Sequence, residues 1–319
     1  IGLIIAGLAS GADLPVSMTI VSHDAPDEAT AAQLVSTTQV FWQVGVFISF
    51  ICAFLVSAMQ GATGGRVVFA ILAVFAVIAW LWRLLSPTFR RFHEAADVRD
   101  AARPAVVGNG KVSVTKVLFG ADKKVLLTYF LAIVIFYVGW NLLANTWGQF
   151  QTYMFSKAGA AQSLATGLGI ILNFVTLVLN IVFASIAGGK YRNKAFFAGI
   201  VISLIAMAAM AMGGANLWVI VGATAFMNLG SPLAGEALYK VWTQESFPIE
   251  IRASIQGFIN GFSRLCCGLF ALITPALVLP ETIQTTMWCF FGIVIIEGIA
   301  GTIMIRAQKK YGTDEERQA

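Results

Sequence analysis

The feature that most limits how this chain can fold is its succession of apolar runs. Each is long enough, or nearly so, to cross about 30 Å of hydrocarbon. Nine can be marked out, at roughly 1–22, 38–59, 66–85, 125–147, 163–188, 195–213, 216–240, 254–279 and 284–305. They predict an all-α membrane protein, and with 58% hydrophobic and only 12% charged residues an ordinary soluble domain is excluded. Glycine-rich turns such as Gly61 to Gly65 and Gly213 to Asn216 separate neighbouring runs. The stretch 86–124 is too charged to span. The predicted organisation is therefore a partial amino-terminal bundle (1–85), a linker (86–124) with short amphipathic pieces near Phe89–Phe92 and Val112–Leu118, a six-helix bundle (125–305) and a tail (306–319).

Orientation follows from the 21 Lys and Arg residues. If the nine runs alternate, seventeen of these basic residues fall on one side: nine from Arg83 to Lys124, then Lys190, Arg192, Lys194, Arg252 and four in the tail. Arg66 and Lys157 fall on the other. This bias predicts that the linker and the C-terminus are cytoplasmic. The chain opens inside an apolar run without a Met, and it has three runs before the linker but six after it. Many transporters consist of two similar six-span halves, so three further helices are expected upstream. A faint internal repeat agrees: His23-Asp24-Ala25-Pro26-Asp27-Glu28 and Glu245-Ser246-Phe247-Pro248-Ile249-Glu250 follow runs that would hold the same place in each half.

Several runs carry polar groups that lipid tolerates poorly. A charge at the bilayer centre costs about 2.5–3.5 kcal/mol on insertion scales, so such residues usually face a partner or a wet cavity. Glu236 and Lys240 are four residues apart on one helix face. Two readings stand: a self-neutralising pair with Lys240 extending toward the helix end, or a cavity-facing acid that binds solute or a coupling proton. Asp13 is the comparable acid in the amino-terminal part. Gln256, Asn260 and Arg264 recur every four residues as a polar stripe, as do Asn141, Asn145 and Gln149, with Trp147 nearby. Amides beside an indole suit sugars and cyclitols, which have polar edges and apolar C–H faces. Gln39 and Gln43 share a face, and Glu297 has no evident partner in sequence.

The sequence Glu245-x-Phe247-Pro248-x-x-x-Arg252 resembles the signature of the sugar porter branch of the major facilitator superfamily, including its bacterial inositol-transporter-like members. Gln39 with Gly45 six residues on, Asn145 ten residues before Phe155-Ser-Lys157-Ala-Gly159, and Asn173 are similar to other motifs of that branch. The chain departs from the pattern at Gly139-Trp140-Asn141, where the family has paired glutamines, and at Leu3, where it has an arginine. The resemblance covers essentially the whole chain, as helices four to twelve of twelve. It implies a major facilitator fold lacking the first three helices, located in a bacterial plasma membrane.

The expected function is secondary active, proton-coupled transport of a small polyhydroxylated solute, a sugar or an inositol, by alternating access. The expected solute contacts are Gln39, Asn141, Asn145, Gln149, Asn173, Asn260 and Arg264. The proton-coupling candidates are Asp13 and Glu236, and Glu245 and Arg252 form a gating charge network. A carboxylate porter, with Arg264 holding the acid, and a truncated piece that transports nothing are the alternatives. An enzyme is not expected: the histidines are His23 and His93, outside the runs, and the cysteines show no metal-like spacing. No cofactor, no metal and no nucleic acid are expected. The partners are a small solute and the lipid bilayer, and the expected state is a monomer.

Overall fold

Apolar side chains leave the backbone no polar partner in lipid but itself, which is why runs of this kind wind into helices. In the computed structural model residues 28–56, 63–88 and 114–311 are described without interruption, with scattered positions in 1–25, at 59 and between 90 and 98. Among the described residues all regular structure is helical. The elements are α1 (Glu28–Leu55), α2 (Thr63–Leu85), α3 (Val114–Leu118), α4 (Lys123–Lys157), α5 (Gln162–Ile186), α6 (Arg192–Gly213), α7 (Leu217–Gly230), α8 (Glu236–Ser246), α9 (Ile249–Ala271), α10 (Thr274–Leu277) and α11 (Ile283–Tyr311). Six of these, α1, α2, α4, α5, α6 and α11, are long and apolar enough to cross a membrane.

The 35-residue α4 is the axis of the structure and packs against α5, α7, α8, α9 and α11. Its antiparallel register with α11 can be read from three contacts. Tyr129 lies beside Ala307, Gly139 beside Glu297, and Trp147 against Phe290. Phe136 of α4, Phe196 of α6 and Trp242 of α8 meet edge to face with ring centres 5.0–6.0 Å apart, joining three helices in one aromatic knot. On the other side, α1 packs against α5 and α8. Helix α2 stands apart, buried only at Gly64.

The structure corrects two of the expected spans. The run 216–240 is not one helix: it breaks at 231–235 into α7 and α8. Pro232 has no N–H to donate and its ring clashes with the preceding turn. The chain then turns at Gly235 before resuming. The run 254–279 likewise ends at Ala271, and the four-residue α10 follows. In the linker Val114–Leu118 is helical, whereas Phe89, Phe92 and Val112 lie outside the described residues, as do Asp13 and His23.

Candidate solute-binding site

The break between α7 and α8 forms one wall of a cavity of about 150 Å³. That is below the roughly 300–1,000 Å³ of pockets for drug-sized ligands. Its other walls come from α1 (Gln39, Trp42, Gln43), α4 (Trp140, Trp147, Gln151) and α5 (Asn173, Thr176, Asn180). Trp140 holds the break in place by donating its indole N–H to Ser231 Oγ at 3.0 Å. Only glycine fits at 235: a Cβ there would lie 2.6 Å from Trp140 Nε1 and closer still to the Ser231 carbonyl oxygen.

Immediately after the break, Glu236 sits in the first turn of α8, where the helix dipole favours an acid. Its Oε1 is 3.0 Å from Lys240 Nζ, and both side chains are almost completely buried. Lys240 also donates to Gln39 Oε1 at 3.1 Å. Glu236 lines the cavity and is neutralised by Lys240, which turns inward instead of reaching for the helix end. Across the cavity Gln43 Nε2 donates to Asn173 Oδ1 at 3.0 Å, and Asn173 in turn donates to the Gly169 carbonyl at 2.9 Å. The Trp147 indole N–H and the Gln151 amide nitrogen are buried in the same wall with no acceptor among the described residues.

The other predicted contacts form a second group, between α4 and α9. Asn141 donates to Ser263 Oγ at 2.7 Å, Asn145 to Asn141 and Cys267, and Gln149 to Asn145 Oδ1 at 3.1 Å. Asn260 accepts from the Tyr137 hydroxyl at 3.3 Å. None of Asn141, Asn145, Gln149, Asn260 or Arg264 lines the 150 Å³ cavity. On α4 the cavity face is that of Trp140, Trp147 and Gln151. The two groups adjoin at stacked Tyr137 and Tyr239, whose ring centres are 3.8 Å apart, and Tyr137 also stacks on Trp140 of the cavity wall.

At the far end of α8, Glu245 pairs with Arg192 at 2.5 Å and accepts from Gln308 Nε2 at 3.0 Å. Arg252 donates its Nε to the Phe247 carbonyl at 3.1 Å. Glu245 is thus held by Arg192 and Gln308, while the Arg252 Nε bond goes to the backbone beside it. Arg192 and Gln308 are partners that sequence reasoning missed, along with Trp140, Gln151 and Ser231 at the cavity and Tyr137 and Tyr239 stacked behind Trp140. A usable signal existed for some of them: Tyr137, Trp140 and Asn141 put polar-tipped side chains three and four residues apart inside a membrane helix.

The sequence profile of the Major Facilitator Superfamily matches residues 1–271. The chain belongs to the Major Facilitator Superfamily. Among superfamily members, the Minor myo-inositol transporter IolF of Bacillus subtilis (strain 168) is 27% identical over 315 residues, which cover 95% of this chain and 68% of that protein. The structure of the superfamily's proton:xylose symporter XylE bound to 6-bromo-6-deoxy-D-glucose is similar with a TM-score of 0.65 at 14% identity, over 89% of this chain and 66% of that one. The second likeness shows the superfamily's fold in this chain. The chain spans about two thirds of the length of each relative.

Proposed function

We propose that the protein is a secondary active transporter of a small polyhydroxylated solute, a sugar or an inositol, coupled to protons and working by alternating access. The observation that carries this reading is the cavity wall. It presents amides from four helices and two buried donors with no acceptor among the described residues, Trp147 Nε1 and Gln151 Nε2. Hydroxyl groups supply acceptors and donors without net charge, and the indoles of Trp140 and Trp147 suit the C–H face of a ring. A carboxylate cargo fits less well, because Arg264 lies outside the cavity lining and Lys240 is neutralised by Glu236. The names of IolF and XylE, an inositol transporter and a xylose symporter, support the same class.

In this reading Gln39 and Asn173 contact solute in the conformation described. Asn141, Asn145, Gln149, Asn260 and Arg264 form the polar face that solute meets as the halves rock, and Glu236 carries the proton. Glu245, Arg192 and Arg252 gate the basic side, which faces the cytoplasm of a bacterial cell, and the transporter works as a monomer. The test is calorimetric binding of myo-inositol, D-xylose and succinate to the purified protein, paired with uptake by cells expressing it with and without a proton gradient. Binding of a polyol in preference to succinate is expected. Succinate bound more tightly than either polyol would overturn the cargo class, and uptake indifferent to the proton gradient would overturn the coupling.

A further inference from the structure

Away from the cavity, α6 and α11 run antiparallel and touch where Ile200 meets Gly298 and Phe196 meets Gly301. Outside that seam lies a groove of about 430 Å³, with Phe197 and Leu204 on one wall and Ile295, Ile299 and Ile303 on the other. Four of these side chains, Phe197, Ile295, Ile299 and Ile303, are between 42% and 56% exposed. Arg306 lines the groove at its end nearest the tail. The twelve residues from Ile295 to Arg306 rise about 16 Å, close to half of the roughly 30 Å hydrocarbon core. The groove is thus as deep as one leaflet.

Arg306 is the basic residue that lines the groove, and a second, Lys194, stands just beyond it on α6. Extending the register of the α6–α11 seam brings Lys194 level with Ile303 and Met304, within one helical turn of Arg306, and Lys194 stands three residues before Phe197, on the same face of α6. Lys194 is exposed, with its ammonium 5.5 Å from the Tyr191 ring centre. Nearby Arg192 is buried and paired with Glu245, so that acid is already balanced within the fold. A guanidinium offers a phosphate two parallel donors, and an ammonium beside it adds a point charge.

We infer that this groove binds an anionic phospholipid of the leaflet on the basic side, its phosphate held by Arg306 and Lys194 and an acyl chain lying along Phe197, Ile299 and Ile303. A second copy of the chain fits less well. A two-fold contact through this face would set Arg306 near its own copy, and the apolar strip is only one leaflet long. The inference does not depend on what the protein transports.

Native mass spectrometry of the detergent-purified protein tests it, by titration with dioleoyl phosphatidylglycerol and, separately, dioleoyl phosphatidylcholine. The expected result is a preference of about fivefold for phosphatidylglycerol per basic contact. It should be lost in Arg306→Gln/Lys194→Gln and kept in Lys157→Gln, which removes a charge at the opposite end. Ile303→Trp, which fills the groove, should lower the adducts of both lipids while leaving the protein folded by circular dichroism. Equal binding of the two lipids, or a preference untouched by Arg306→Gln/Lys194→Gln, overturns the assignment. A dimer that Ile303→Trp dissociates, with lipid adducts unchanged, overturns it in favour of a second copy.

Discussion

Lys240 reaches Gln39 across 201 residues of sequence, Nζ to Oε1 at 3.1 Å, and so ties α8 to α1 while holding Glu236 at the cavity edge. The bond joins segments on either side of the linker. It rests on a buried pair, and removing one partner of such a pair leaves an uncompensated charge, whereas removing both is often neutral.

Lys240→Met alone should therefore lower stability by about 3–5 kcal/mol, and Glu236→Gln added to it should restore most of that loss. Thermal unfolding of the three variants in one detergent checks this. A double variant no more stable than Lys240→Met would mean the pair is not the unit described here.

Trp147→Phe and Gln151→Leu each remove a buried donor that has no acceptor among the described residues. Neither should reduce thermal stability. Each should weaken polyol binding by roughly two- to tenfold, the worth of one hydrogen bond of about 0.5–1.5 kcal/mol. Calorimetry beside thermal unfolding separates the two effects, and a fall in stability with unchanged affinity would assign these side chains to packing.

A methyl group at Gly139 would lie 2.9 Å from Glu297 Cγ and 3.1 Å from its Oε1, in the buried seam between α4 and α11. Gly139→Ala should cost about 1–3 kcal/mol through overpacking. Combined with Glu297→Ala, which clears the space, the loss should be smaller than the sum of the two single losses. Additive losses would show that the seam relaxes elsewhere.

At the basic end, Arg192 is buried against Glu245, whereas Arg252 is only partly buried and donates to a backbone carbonyl. Arg192→Gln should lower the unfolding temperature more than Arg252→Gln. The reverse order would make Arg252 the main anchor at that end.

Much of this was legible before the coordinates, for a simple reason. Apolar run length is dictated by the thickness of a bilayer, so α5 and α6 could be placed from sequence within three residues of their boundaries, whereas α4 and α11 start where expected but run ten and six residues further, past the apolar stretch. The pairing of Glu236 with Lys240 was also legible, being local to one helix turn. What sequence could not supply was azimuth. Asn141, Asn145 and Gln149 were correctly seen to share a face, but which neighbour that face meets depends on how α4 is rotated against α9. Trp147 and Gln151 turn toward the cavity from the adjoining arc. The break at Ser231–Gly235 was hidden for another reason: Pro and Gly are tolerated in membrane helices, so neither marks an end by itself. Arg192 and Gln308 belong to Glu245 through contacts more than fifty residues distant, which no local pattern reports.

Helix α8 is only eleven residues long, about 16 Å, and is fastened at both tips. Its upper tip carries Glu236 and Lys240 against α1, and its lower tip carries Glu245 and Ser246 against Arg192 and Gln308. A rod this short has no slack to bend between its moorings. A displacement at one tip is therefore carried to the other, so the cavity wall at Gly235 and the charged rim at Glu245 are joined by a single stiff rod.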